Sequence, residues 1–168
     1  TYIQTNVIEK ATEILQNSVK TITSSSRYKR FQSYLPDLIY KLATHQKNFG
    51  NKKEAYLSYR QLYIKYPNHE LTSDAESAIK KLLASPDINE KPLNLEEHTE
   101  RIEQLFKAAR YKEVIDEVEG IQKNNNIMSG RFYFFLSNAY RGLRDRKTAN
   151  IALNKFSKLY PQHSQIQK

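Results

Sequence analysis

The stretch from Leu35 to His69, LPDLIYKLATHQKNFGNKKEAYLSYRQLYIKYPNH, predicts two short amphipathic helices joined by a turn. Apolar residues recur at helical spacing in both halves: Ile39, Leu42 and Ala43, then Ala55, Tyr59, Leu62 and Tyr66. The turn contains Gly50, which accepts the positive φ that often follows a helix end. Pro67 ends the second helix, because proline cannot continue a helical path. The stretch therefore predicts a packed pair of helices.

The composition favours an all-α chain. Among 168 residues there are only four glycines and five prolines, which is few for the many turns of an all-β fold. The chain is 39% hydrophobic and 27% charged, as expected of a folded rather than a disordered sequence. It has no cysteine, which excludes disulfides and zinc–thiolate sites. No apolar run approaches the roughly 20 residues that a membrane span needs.

The net charge of +9 is unevenly distributed. Residues 1–69 carry 11 basic and 4 acidic side chains, or +7, and residues 130–168 carry 8 and 1, also +7. Residues 70–129 carry 8 basic and 13 acidic side chains, or −5. A nucleic-acid-binding protein usually concentrates positive charge along one face. The acidic middle therefore disfavours nucleic acid as a partner.

The remaining segments extend the pattern over one helical-repeat domain spanning residues 1–168. We expect five segments in chain order: an N-terminal helical segment (1–34), a repeat unit (35–69), an extra helix (71–84) and two further repeat units (95–128 and 129–163). The first helix has an apolar stripe: Ile3, Val7, Ile8, Ala11, Ile14, Leu15, Val19 and Ile22. Ser26 is expected to cap the continuation of that segment, and Thr72 or Ser73 to cap the extra helix. The stretch Ser85–Leu95, with two prolines, predicts a loop.

The last unit repeats the opening one at an offset of 94 residues. Matched pairs include Ile39 with Tyr133, Leu42 with Leu136, Ala55 with Ala149, Leu62 with Phe156, Tyr66-Pro67 with Tyr160-Pro161, and His69 with His163. Val114 precedes Ala149 by 35 residues, which places the middle unit in the same register. This pattern over about 34 residues resembles the tetratricopeptide repeat. The resemblance implies a right-handed superhelix of antiparallel helix pairs, a tetratricopeptide-like solenoid.

Residues typical of catalysis do not form a recognisable constellation. The four histidines, at 45, 69, 98 and 163, show no metal-ligand spacing, and His69 and His163 occupy equivalent repeat positions. The four glycines are isolated, so no phosphate-binding loop is expected. The acidic cluster Glu96, Glu97, Glu100 and Glu103 suits a solvated helix start better than a carboxylate pair. We expect a non-enzymatic chain without cofactor or metal.

A repeat superhelix usually binds through the groove lined by the first helix of each pair. Repeat position marks seven candidate groove residues: Tyr40, Thr44, Lys47, Arg131, Phe134, Asn138 and Arg141. Cations, an amide and an aromatic ring suit a carboxylate or an extended peptide of a partner protein. Chaperone-binding tetratricopeptide proteins use a Lys/Asn/Arg clamp across consecutive units. Here Arg131 and Asn138 fit that clamp, whereas Thr44 replaces the expected asparagine.

The segment LNLEEHTERIEQLFKAARYKEVIDEVEGI, residues 93–121, resembles the α-superhelical region of soluble lytic murein transglycosylases. Arg101, Leu105, Arg110-Tyr111 and Ile115 match the pattern, whereas Ile102 replaces its usual alanine and Ala109 its usual glycine. In that family the superhelix is a non-catalytic platform beside a lysozyme-like domain. The resemblance implies a periplasmic scaffold that positions peptidoglycan or a partner protein. The alternative is a stand-alone adapter, cytoplasmic in that case, which binds an extended peptide.

Overall fold

The computed structural model describes the backbone of residues 2–125 and 130–161, with side chains for residues 9–123 and 130–161. Within these residues the chain is all-α, as predicted: it contains eight α-helices and no strand. It divides into two compact units, Thr1–Asn94 and Leu95–Lys168. The side chains of Ile3, Val7 and Ile8, the predicted boundary at 128–129 and His163 lie outside the described residues.

The helices begin and end close to the predicted positions. In chain order they are α1 (Tyr2–Ser24), α2 (Leu35–Asn48), α3 (Lys52–Lys65), α4 (Thr72–Leu83), α5 (Leu95–Lys107), α6 (Tyr111–Asn125), α7 (Gly130–Gly142) and α8 (Arg146–Leu159). A 3₁₀ segment with a kink at Tyr28, Ser26–Tyr34, joins α1 to α2. Pro36 lies in the first turn of α2, where its missing N–H leaves no helical bond unmade.

The first unit is built around α2 and α3. α2 packs against α1 and α3, and α3 also packs against α4. Its buried core consists of Val19, Leu35, Ile39, Leu42, Ala43, Ala55, Tyr56, Tyr59, Leu62, Ala75 and Leu82. Ala43 and Ala55 are fully buried and allow α2 and α3 to approach closely. Each large apolar side chain removed from water contributes roughly 1.5–3 kcal/mol, so the predicted apolar stripe is the main stabilising feature.

The second unit uses the same principle. α6 packs against α5 and α7, and α7 packs against α8. Its buried core consists of Ile102, Leu105, Val114, Ile115, Val118, Ile121, Phe132, Phe135, Leu136, Ala139 and Ala152. Tyr133 was predicted to match buried Ile39, but Phe132 is the buried residue there and Tyr133 is partly exposed. α7 therefore buries a partly different face from α2, because Leu136 is buried as Leu42 is, whereas Phe132 is buried in place of Tyr133.

The same turn joins each of the three helix pairs. Its central residue is left-handed in all three, with φ of 84° at Gly50, 56° at Ala109 and 64° at Arg144. Each next N–H donates to a carbonyl five residues back: Asn51 to Gln46, Arg110 to Leu105, and Asp145 to Tyr140. α3 and α8 are both 14 residues long and begin 94 residues apart. The sequence repeat is therefore present in the backbone.

Three local predictions were wrong. The 3₁₀ segment is capped by the side chain of Ser25, which accepts a hydrogen bond from Arg27 N–H, and not by Ser26. The N-cap of α4 is Leu71, which makes no side-chain cap. The hydroxyl of Thr72 instead donates to the Tyr66 carbonyl at 2.6 Å, which satisfies an oxygen left over at the end of α3. Ile14 was predicted to lie on the apolar stripe of α1, but it is 65% exposed and does not join the core.

Candidate functional site

One concave site in the first unit is a cavity of about 440 Å³ among α2, α3 and α4. Its lining combines cations, hydroxyls, aromatic rings, two apolar side chains and one carboxylate: Tyr40, Lys47, Lys52, Tyr59, Asp74, Ser77, Ala78, Lys81, Leu82 and Ser85. Two of the predicted groove residues, Tyr40 and Lys47, therefore line one cavity. The contribution of α4 was not predicted, because α4 lines the cavity only through its packing on α3.

Three lysines surround this cavity, and their surroundings differ. Lys52 Nζ lies 2.5 Å from Asp87 Oδ2 and 3.3 Å from Ser85 Oγ, so its charge is paired. Lys47 and Lys81 are exposed, and among the described residues no carboxylate lies within 4 Å of either ammonium group. Two cations are therefore available to an anion at the cavity mouth.

The cavity wall is fixed by two tyrosines from neighbouring helices. The rings of Tyr40 and Tyr59 meet edge to face with centroids 5.6 Å apart. The Tyr59 hydroxyl lies 2.9 Å from the Thr44 hydroxyl, so Thr44 positions the wall and does not line the cavity. Burial, followed by the nearby Tyr59 and Asp74, raises the pKa of Tyr40. Its phenol therefore stays neutral and able to donate a hydrogen bond near pH 7.

Three of the four candidate groove residues of the second unit have local partners of their own. Arg131 forms an ion pair with Glu103. The Phe134 ring packs against Phe135 at 5.8 Å, and the Asn138 amide donates to the Phe134 carbonyl at 2.9 Å. Arg141 is exposed at the end of α7. Since Glu103 neutralises Arg131, this set presents less positive charge than the sequence indicates.

An unpredicted charged cluster links α5 to α6 in the second unit. His98 Nδ1 lies 2.6 Å from Glu117 Oε1, and Arg101 Nε donates to Glu117 Oε2 at 3.3 Å. Burial alone raises the pKa of Glu117, but the hydrogen bond from His98 and the charge of Arg101 outweigh it, so the pKa is lowered. Glu117 is thus a largely buried carboxylate, 14% exposed and held charged by two partners.

The loop that follows α4 lies along α3. Lys52 pairs with Asp87, and Lys53 Nζ lies 3.2 Å from Glu90 Oε1. The Tyr56 hydroxyl donates to the Lys91 carbonyl at 2.8 Å. The Arg60 guanidinium donates to the Lys91 and Pro92 carbonyls at 2.7 and 3.2 Å. One helix thus holds a non-helical segment by two ion pairs and three bonds to main-chain oxygens.

Among the described residues, no group of three or more histidines or carboxylates is arranged to hold a metal ion. Within the described part of the chain, no helix is both long and apolar enough to cross a membrane.

Comparison of the chain with protein-family models, with curated proteins and with solved structures finds no match.

Proposed function

We propose that this chain is a non-catalytic helical-repeat scaffold that binds an extended, carboxylate-bearing segment of a partner protein. The observation that carries the proposal is the α2–α3–α4 cavity, where Lys47 and Lys81 present charges without a carboxylate within ion-pair distance in the described residues. Ser77 and the neutral Tyr40 add hydroxyl donors beside those cations. Cations with nearby donors suit carboxylate recognition.

The scaffold role rests on the three equivalent turns. We infer that the helix pairs run antiparallel and continue as a right-handed superhelix, the tetratricopeptide-like solenoid that the sequence pattern predicts. The support for this is local: Gly50, Ala109 and Arg144 have the same left-handed conformation and the same backbone hydrogen bonds. A repeat unit of this kind buries its apolar face against its neighbours, which favours a structural rather than a catalytic role.

A site-resolved titration tests the cavity. Acetyl-tetraglutamate amide is added to the isotope-labelled chain while backbone amide NMR shifts are followed. We expect saturable shifts on α2 and α4, with affinity about tenfold weaker in the Lys47→Ala/Lys81→Ala variant. Lys41→Ala/Lys65→Ala, which removes two exposed lysines outside the cavity, is the matched control. Shifts that avoid α2 and α4, or that survive the cavity substitutions, would refute the proposal.

A second candidate is the platform role of lytic transglycosylases, in the periplasm. The observation in its favour is Ala109, which stands at that family's glycine position and has a φ of 56°, the conformation in which glycine is favoured. This candidate predicts that the chain co-sediments with purified peptidoglycan sacculi and shows no muralytic activity in a zymogram. If the chain failed to co-sediment at low salt, the platform role would be excluded and the role of a partner-binding adapter would remain.

A further inference from the structure

The segment docked on α3 provides a template for a second binding surface. We call the four residues that hold it the loop-docking face: Lys52, Lys53, Tyr56 and Arg60. Their ligands are two carboxylates three residues apart, Asp87 and Glu90, and two main-chain carbonyls just after them. The face therefore holds an acidic, non-helical segment through four residues of one helix.

The 94-residue repeat reproduces this face on α8. The equivalent residues, which we call the α8 face, are Arg146, Lys147, Asn150 and Asn154. Both cations are retained, and two amides stand in place of the tyrosine and the arginine. A side-chain amide can also donate to a main-chain carbonyl, so the donor character of all four positions is preserved.

The two faces differ in what covers them. On α3, Tyr56 is 1% exposed. On α8, all four residues of the α8 face are exposed. Among the described residues no carboxylate lies within ion-pair distance of Arg146 or Lys147. Asp145, next to them, instead caps α8, with Oδ1 accepting from Thr148 N–H at 3.0 Å.

We propose that the α8 face binds an extended acidic segment of a partner protein in which two carboxylates are three residues apart. The carboxylates pair with Arg146 and Lys147, as Asp87 and Glu90 pair with Lys52 and Lys53. The amides of Asn150 and Asn154 donate to main-chain carbonyls that follow. The chain's own acidic loop is already bound on α3, and because it is tethered there its effective concentration at α3 is high. We therefore assign the α8 face to a segment of a partner protein. None of the residues that line the α2–α3–α4 cavity takes part in this binding.

The probe is a fluorescein-labelled peptide with the sequence of residues 85–94, SPDINEKPLN, titrated into the intact chain by fluorescence anisotropy. We expect saturable binding that weakens with salt, because exposed ion pairs are screened. Arg146→Ala/Lys147→Ala weakens it about tenfold, and so does a peptide carrying Asp87→Asn and Glu90→Gln. Lys155→Ala/Lys158→Ala, which removes the same charge from α8 outside the face, changes binding less than about twofold.

Three results would overturn this inference. Equal losses in the two α8 variants would show attraction to net charge alone. A loss of binding with Lys52→Ala/Lys53→Ala, but not with Arg146→Ala/Lys147→Ala, would show exchange of the peptide onto α3. Light scattering that detects a dimer abolished by the Arg146→Ala/Lys147→Ala change would make a second copy the occupant. Circular dichroism of each variant confirms that it is folded, so a lost affinity reports on the face itself.

Discussion

The imidazole of His98 and the carboxylate of Glu117 meet at 2.6 Å across the α5–α6 interface. Arg101, whose side chain is 9% exposed, holds the second oxygen of the same carboxylate. A buried charge is tolerated only where its partners replace the lost water. The pair therefore ties α5 to α6 through one carboxylate with two donors.

Replacing Glu117 with Gln should destabilise the second unit by about 3 kcal/mol, because it leaves the guanidinium of Arg101 buried beside a neutral amide. Urea unfolding measures the change. Glu119→Gln is the matched control on the same helix: Glu119 is exposed and accepts one hydrogen bond, from Tyr140, so its loss should be below about 1 kcal/mol. Equal losses in the two variants would contradict the role given to Glu117.

The contribution of Glu117 should depend on pH. Its pKa is lowered in the folded chain from an ordinary value of 4.5, so the folded state favours the charged carboxylate. The stabilisation is complete above pH 4.5 and is lost as the pH falls through the lower folded pKa. The difference in unfolding free energy between the parent chain and Glu117→Gln should therefore shrink between pH 7 and pH 3. A difference that is constant over this range would show that the carboxylate is not the titrating group.

Two glycines with open space around them should respond oppositely to alanine. A Cβ at Gly50 or at Gly120 would meet no atom within 4 Å. Gly50 has a φ of 84°, so Gly50→Ala should cost about 1 kcal/mol through backbone strain. Gly120 lies inside α6, where Gly120→Ala should stabilise by roughly 0.5–1 kcal/mol. Thermal unfolding of both variants tests this, and shifts of the same sign would argue against the left-handed turn.

The turn between α5 and α6 allows the reverse substitution, from alanine to glycine at the left-handed position. Ala109 is exposed and has a φ of 56°, which strains any residue with a Cβ. Ala109→Gly should therefore stabilise the second unit by about 1 kcal/mol in urea unfolding. Lys112→Gly, at an exposed position in the first turn of α6, is the control and should destabilise by up to about 1 kcal/mol. A destabilising Ala109→Gly change would mean that the turn tolerates alanine without strain.

The packing of α6 against α7 depends on Gly142, which has no Cβ. A Cβ at Gly142 would overlap the ring of Tyr111, which also packs edge to face on Phe106 at 5.7 Å. Gly142→Ala should cost about 1–3 kcal/mol by overpacking. Adding Tyr111→Ala removes the overlap, so the cost of Gly142→Ala should be much smaller in that background. Additive losses in the double-mutant cycle would show that the two residues do not interact.

Helix positions followed from local chemistry and were therefore accessible from the sequence. Pro67 and the turn at Gly50 mark the ends of α3, and the spacing of Ala55, Tyr59 and Leu62 identifies its buried face. On α7 the equivalent prediction is confirmed at Leu136 and wrong at Tyr133. Five consecutive apolar or aromatic residues, 132–136, hide the helical period, and packing against α6 selects which of them is buried.

Only some residues of the candidate site could be predicted from the sequence. Tyr40 and Lys47 were predicted from repeat position, whereas Lys81 enters the cavity because α4 packs on α3. Every residue has a main-chain carbonyl, so the sequence does not indicate which carbonyls accept hydrogen bonds. The bonds from Arg60 to the Lys91 and Pro92 carbonyls could therefore not be predicted. The pairing of Glu117 with His98 joins residues 19 apart on different helices and depends on tertiary packing.

The shared turn accepts glycine, alanine or arginine at its left-handed position, so it tolerates substitution. The length of the turn is more constrained than its residue types. One residue inserted between Gly50 and Lys52 would separate the Asn51 N–H from the Gln46 carbonyl, or rotate α3 by about 100° about its axis. Ala55, Tyr59 and Leu62 would then leave the core together. Related chains should accordingly differ in which residue occupies this turn, at a modest cost in strain where it is not glycine, while insertions and deletions are confined to the segments that lie outside it.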